Sequence, residues 1–251
     1  MKVYFIGAGP GDPELLTLKA HRIISNIELC LYAGSLVPVE ILSFVPKGAT
    51  VVDTANLNLK EIESYYINAK QENKDVARIH SGDVSVYGAL SEQIDILDKL
   101  NIEYEIIAGI PAYVQAAAIL NTELTIPGKV QSVILTRTSF SSTPMPEGED
   151  LVNLAKTGAT LVIHLSIRRI KHIERELSPV IGNDAIVAVL YRIGWSDQLV
   201  IIDRLDNIAK KVRENKITRT ALIITGKNFK KKSEMNSVLY DSHHNHLFRP
   251  K

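Results

Sequence analysis

The chain has one cysteine, Cys30, in 251 residues. A disulfide scaffold is therefore excluded, and the usage suits a reducing compartment. No apolar run approaches the roughly 18 to 20 residues of a membrane-spanning helix. The opening Met1-Lys2-Val3-Tyr4-Phe5-Ile6 runs into glycines too soon to read as a signal peptide. A strong net charge is also missing, with 29 basic against 28 acidic residues. Together with 45% apolar content, that balance argues against disorder. The composition predicts a soluble cytoplasmic protein of one or two domains with ample material for a core.

The charge that exists is unevenly placed. Residues 1–120 hold 9 Lys/Arg against 15 Asp/Glu, and residues 121–251 hold 20 against 13. A basic second half suits an anionic ligand. It equally suits a solvated surface, since Lys227, Lys230, Lys231 and Lys232 form one run. No zinc-finger spacing or RNA-binding signature accompanies the charge, which argues against nucleic acid. The histidines show no metal-ligand spacing, so no metal is expected. A mobile polar tail is the reading for His243, His244 and His246.

Short β-branched runs alternate with helical patterns. Val3–Ile6, Glu28–Tyr32, Thr50–Asp53, Val76–His80 and Tyr104–Ile107 predict strands, with helices over Pro13–Ser25, Lys60–Glu72 and Leu90–Leu100. This alternation predicts an α/β layer with a parallel core. A second set follows, with strands near Ser132–Thr136, Thr160–His164, Ala185–Tyr191, Leu199–Asp203 and Leu222–Thr225. Its helices are expected over Gly148–Thr157, Ile167–Ser178 and Asp206–Glu214. The predicted fold class is two α/β domains, 1–117 and 118–251, joined through an alanine-rich helix near 112–120.

Three predicted strands end in glycine-bearing loops. The first runs into Gly7-Ala8-Gly9-Pro10-Gly11-Asp12-Pro13. A dinucleotide fingerprint fails here, because Asp12 stands where the third glycine belongs. A P-loop fails too, since no Gly-Lys-Ser/Thr follows. Asp12-Pro13 reads as an N-cap with proline at the first helical position. The second loop is His80-Ser81-Gly82-Asp83-Val84-Ser85-Val86-Tyr87-Gly88, where Asp83 suits hydrogen bonds from an amine or a ribose. His80 alone reads as structural. The third is Ala108-Gly109-Ile110-Pro111-Ala112. Glycine-bearing strand ends in one sheet predict a cleft with a backbone floor, suited to a small ligand read by main-chain groups.

These motifs carry a resemblance. Val3 to Thr17 resembles the first signature of the tetrapyrrole methylases, and Ser81-Gly82-Asp83 resembles the second. Tyr32-Ala33-Gly34-Ser35-Leu36-Val37, Glu123 to Pro127, Gln131 to Ser139, His164-Leu165-Ser166-Ile167 and Tyr191-Arg192-Ile193-Gly194-Trp195 are similar to the branch that methylates C11 of precorrin-4. Leu239-Tyr240-Asp241 and His246-Leu247-Phe248-Arg249 fit that branch too. The resemblance implies two unequal α/β domains, S-adenosylmethionine bound between them, and a homodimer.

It further implies a cofactor pocket using Pro10, Gly82, Asp83 and Val86 of the first domain, with Pro111 and Ala112 at the domain junction, closed from the second domain by Leu165, Ile193, Thr220 and Ala221. Plain core packing is the competing reading of Leu165 and Ala221. Arg137 and Arg192, with Arg249, would hold the carboxylates of the tetrapyrrole through charge-assisted hydrogen bonds. Tyr87 is the candidate to hydrogen-bond substrate or move a proton, and packing beside a glycine loop accounts for it equally. The chain departs from the family at Phe140-Ser141, where Gly-Arg is usual, and at Ser196, Val84 and Ala108, where proline is usual. The readings kept open are precorrin-4 or its cobalt complex as substrate, another precorrin or uroporphyrinogen position, and a cofactor-binding homologue without turnover.

Overall fold

The computed structural model of the protein describes residues 1–139 and 143–229. The chain divides by contact into two units, Met1–Ala116 with Arg192–Gln198, and Ala117–Tyr191 with Leu199–Lys251.

In the first unit, alternating apolar residues place strands β1 (Lys2–Gly7), β2 (Leu29–Tyr32), β3 (Thr50–Asp53), β4 (Val76–His80) and β5 (Glu103–Ile107) in one sheet. Its order is β3-β2-β4-β1-β5, and every neighbouring pair is parallel. Helices α1 (Leu18–Ile24) and α2 (Val39–Leu42) cover one face, where Ala20, Ile24 and Ile41 pack on Ile6, Ala77 and Ile79. Helices α3 (Leu59–Gln71) and α4 (Leu90–Lys99) cover the other, where Ile62, Tyr66 and Leu97 pack on Val3, Phe5 and Val76. The chain therefore leaves β1 and β4, which are neighbours, toward opposite faces. Their carboxyl ends flank a topological switch point, the place where open α/β sheets bind ligands.

Local sequence explains one departure from the expected elements. The helix predicted over Pro13–Ser25 is divided. Asp12 accepts a hydrogen bond from Glu14 N–H and caps only a 3₁₀ turn, Pro13–Leu15. Leu16 is extended, and the Thr17 hydroxyl caps a second start at Leu18. Two good N-caps so close together make two short helices rather than one. Helix α3 carries a full capping box between Asn58 and Glu61.

The second unit holds β6 (Val133–Arg137), β7 (Thr160–His164), β8 (Ile186–Tyr191), β9 (Leu199–Arg204) and β10 (Ala221–Thr225), in the order β6-β7-β10-β8-β9. Only β6 and β7 are parallel; β10 runs against both its neighbours, and β9 against β8. Helices α6 (Leu151–Lys156), α7 (Ile170–Ile181) and α8 (Leu205–Glu214) pack Leu151, Ile173, Leu177, Ile208 and Val212 onto Leu161, Ile163, Val187 and Ile223. Helix α5 (Ala112–Ile119) is the alanine-rich segment. No helix among the described residues is long and apolar enough to cross a membrane.

Candidate active site

Beyond β1 and β4 the two segments stay paired through an isolated bridge between Gly9 and Gly82. Gly9 N–H donates to Gly82 O at 3.1 Å, Gly82 N–H donates to Gly9 O at 2.7 Å, and Ala8 N–H donates to His80 O at 2.8 Å. The loop after β5 joins them. A Cβ on Gly109 would lie 2.5 Å from Gly7 O and closer still to Gly82 O, so no side chain fits there. The floor at this switch point is backbone on backbone.

Asp83 locks that floor. Its Oδ2 accepts from Gly109 N–H at 2.8 Å, and its Oδ1 accepts from Ser85 N–H at 2.9 Å and from the Ser85 hydroxyl. Partial burial raises the Asp83 pKa, but the hydrogen bonds from Ser85 and Gly109 outweigh it and hold the carboxyl below its usual range. Beneath it, His80 is buried with no partner for Nε2. Burial, then the nearby Arg78 charge, pushes its pKa down to about 3, so the ring is neutral and structural.

Pro10, Gly82, Asp83, Val86 and Pro111 thus occupy three loops on the adjacent strand ends β4-β1-β5, and Ala112 opens α5. Gly82, at φ +67°, leaves clear the space before α5, where a Cβ would lie 3.8 Å from Ala112 N. Ile193 and Arg192, expected in the second domain, belong instead to this unit, because Arg192–Gln198 packs with it. That segment interlocks with the Pro10 loop. A Cβ on Gly11 would meet Ile193 O at 2.6 Å and Trp195 Nε1 at 2.8 Å, and one on Gly194 would meet Asp12 N at 2.5 Å. Arg192 stacks on Trp195 with its guanidinium carbon 3.8 Å from the ring centroid, and pairs with Asp197 at 2.6 Å.

In the second unit one end of the sheet gathers Arg137, Leu165, Thr220 and Ala221, at the carboxyl ends of β6 and β7 and the start of β10. Arg137 pairs in register with His164, which precedes Leu165, and Ala221 pairs with Tyr191. Burial pushes the His164 pKa down to about 4. The Arg137 guanidinium donates to the carbonyls of Thr138, Thr143 and Pro144, at 3.1, 2.8 and 3.3 Å. These acceptors carry no formal charge, so they hold the side chain without cancelling its positive charge.

Backbone conformation marks the same residues independently. Among the described residues, nine non-glycine residues have positive φ. Asn73, Asn101, Asn121 and Lys216 follow helices α3, α4, α5 and α8, where a left-handed residue is ordinary. The remainder are Tyr87, Ala89, Leu165, Arg192 and Thr220. Four of these five carry candidate site side chains. Backbone strain of this kind persists where the surroundings impose it, and it concentrates at functional sites.

The segment 2–209 matches the family described as Tetrapyrrole (Corrin/Porphyrin) Methylases. The chain belongs to the tetrapyrrole methylase family. A precorrin-4 C(11)-methyltransferase from a Sinorhizobium species is 45% identical over 99% of this chain and 98% of its own length. One from Rhodococcus erythropolis is 46% identical over 96% and 97%. The solved structure of a cobalt precorrin-4 methyltransferase, a cobalamin biosynthetic enzyme, superposes with a TM-score of 0.86 at 36% identity, covering 90% of this chain and 94% of that one.

The sequence pattern alone assigns Trp195 no role. An Arg-x-x-Trp spacing across a glycine turn was the available signal. Nor does the pattern assign one to Ser166 or Thr138. Phe140-Ser141, the tail histidines and Arg249 lie outside the described residues. Among the described residues no group of three or more His, Cys, Asp or Glu side chains is placed to hold a metal ion.

Proposed function

We propose that this chain is an S-adenosylmethionine-dependent methyltransferase that methylates C11 of precorrin-4 in cobalamin biosynthesis. The observation that carries the reading is the match over at least 96% of both chains to relatives with that named activity. The first unit fits the cofactor on its own geometry. Its glycine floor admits a ligand close to the main chain, and Gly82 keeps open the space before Ala112 N. Such a floor reads polar edges through backbone groups, while proline, valine and isoleucine side chains supply van der Waals surface.

On this reading Pro10, Gly82, Asp83, Val86, Pro111, Ala112 and Ile193 hold the cofactor in the first unit. Leu165, Thr220 and Ala221 carry the same proposal in the second. Asp83 acts by fixing the loops, because its oxygens already serve Ser85 and Gly109. S-adenosylmethionine, when bound, supplies an electrophilic sulfonium methyl group. The residues are left the tasks of alignment and water exclusion. Arg137 and Arg192 are proposed to hold substrate carboxylates, and Tyr87 to hydrogen-bond the substrate. The proposed assembly is a homodimer. The proposed compartment is the cytoplasm, in keeping with the single free thiol of Cys30. Cobalt-precorrin-4 is the second reading, favoured by the solved structure at 36% identity.

The test is anaerobic incubation with precorrin-4 and S-adenosylmethionine carrying a carbon-13 methyl, with the cobalt complex in parallel. The expected product carries one labelled methyl at C11, and relative rates choose between the substrates. Transfer to neither, with the control enzyme active and S-adenosylhomocysteine still bound, would overturn the assignment in favour of a homologue without turnover.

A further inference from the structure

Leu165 is an anomaly by two measures. It is a large apolar side chain left 58% exposed, and its φ is +55°. A leucine in the left-handed region brings Cβ against the following carbonyl, and folding gains nothing from an exposed leucine in return. Glycine or asparagine would make the same turn with less strain. Something other than this turn's own packing accounts for the leucine.

The neighbouring residue supplies the constraint. Ser166 is fully buried. Its Oγ donates to His164 O at 2.6 Å, accepts from Thr138 N–H at 2.8 Å, and lies 3.1 Å from the Thr138 hydroxyl, which donates to it. A serine hydroxyl has one proton and two lone pairs, so all of its capacity is used. Its carbonyl also accepts from Arg169 N–H at 2.8 Å and opens the 3₁₀ turn Ile167–Arg169. His164, paired in register with Arg137, and Ser166, anchored by Thr138 just beyond β6, are therefore fixed on either side of Leu165. With its neighbours pinned, residue 165 must bulge outward.

We infer that Ser166 is a positioning residue that, anchored by Thr138, holds the Leu165 side chain outward against the apolar part of the cofactor. This rests on the proposed reading of Leu165 as a cofactor contact. Ser166 touches no ligand itself; it acts by denying Leu165 any other conformation.

The test is a double-mutant cycle, with S-adenosylhomocysteine binding measured by calorimetry and folding by thermal melts. Leu165→Gly should weaken binding by roughly tenfold or more, by removing apolar contact, while leaving the melting temperature unchanged or higher. Ser166→Ala should weaken binding by about tenfold in the native background and have no further effect in the Leu165→Gly background. Thr138→Val, which keeps shape and N–H but removes one donor, should follow the same pattern more weakly and serves if Ser166→Ala does not fold.

A Ser166→Ala or Thr138→Val effect that persists undiminished in the Leu165→Gly background would overturn the inference, as would native affinity in Ser166→Ala. Full affinity in a folded Leu165→Gly variant would overturn the reading of Leu165 as a contact. No binding by the unsubstituted protein would overturn the proposed function and the inference with it.

Discussion

The Arg192 guanidinium carbon stands 3.8 Å from the Trp195 ring centroid while its Nη1 pairs with Asp197 at 2.6 Å. Arg192 has φ +46°, and Gln198 Oε1 closes the turn by accepting from Gly194 N–H at 2.8 Å. The cation is thus held by the Trp195 ring and the Asp197 carboxylate on a turn that interlocks with Gly11. Such a stack contributes about 0.5 to 2 kcal/mol. Trp195→Ala should raise KM for the tetrapyrrole severalfold to about thirtyfold by freeing the arginine. Trp195→Phe should keep most of the affinity. Equal KM values in all three proteins would remove Trp195 from any role in substrate binding.

The glycine floor gives a prediction of opposite signs. Gly109→Ala puts a methyl against the Gly82 and Gly7 carbonyls, which are backbone and have little freedom to move. It should cost about 3 kcal/mol or more and abolish cofactor binding. Gly48→Ala meets no atom within 4 Å and needs no positive φ. It should be neutral or stabilise by about 0.5 kcal/mol through the unfolded chain. Urea melts of both variants decide the point, and a harmless Gly109→Ala would refute the packed floor.

The first sheet is legible because its strands are short apolar runs, and β1, β2, β4 and β5 stop at or just before a glycine. Thr160–His164 is legible to the residue as a β-branched run that follows Gly158. The short helix Val39–Leu42 was missed, since one turn carries too little periodicity. The antiparallel neighbours in the second sheet left no local trace either, because direction is set by partners far away in sequence. At the site, Gly82 and Asp83 announced themselves by type. Tyr87, Leu165, Arg192 and Thr220 did not, because ordinary L-residues at positive φ carry no compositional mark. Resemblance found those positions, and backbone geometry now gives a physical reason to single them out.

Acid should destabilise the fold earlier than its carboxylates alone would require. Burial pushes His80 down to about 3 and His164 down to about 4. Unfolded histidine titrates near 6.5. As pH falls below that value the unfolded chain binds protons that the folded chain refuses, so stability present above pH 6.5 is lost on the way down. By pH 5 each histidine should remove about 2 kcal/mol. His80→Gln should flatten part of the slope between pH 7 and 5 in guanidinium melts. A flat profile in the unsubstituted protein would show that these rings titrate normally.

Arg78 tests how a buried cation is held by uncharged groups. It is 6% exposed, its Nε donates to Gln93 Oε1 at 2.9 Å, and its Nη1 donates to Thr54 Oγ1 at 3.0 Å. Tyr66 donates its hydroxyl to the same Gln93 oxygen at 3.1 Å, and Gln93 Nε2 donates to Ala89 O at 3.0 Å. One amide therefore satisfies a guanidinium and a phenol and steadies the left-handed turn at Tyr87 and Ala89. Gln93→Leu leaves two buried donors without an acceptor, one of them on a charged group, and should cost about 3 to 5 kcal/mol. Tyr66→Phe removes a donor along with its bond and should cost only about 1 kcal/mol. The ratio is the informative quantity. If both variants lose the same small amount, water reaches Arg78 and the network is not what carries the buried charge. If Gln93→Leu loses several times more, the amide is the counterpart of a charge that has no carboxylate among its hydrogen-bond partners.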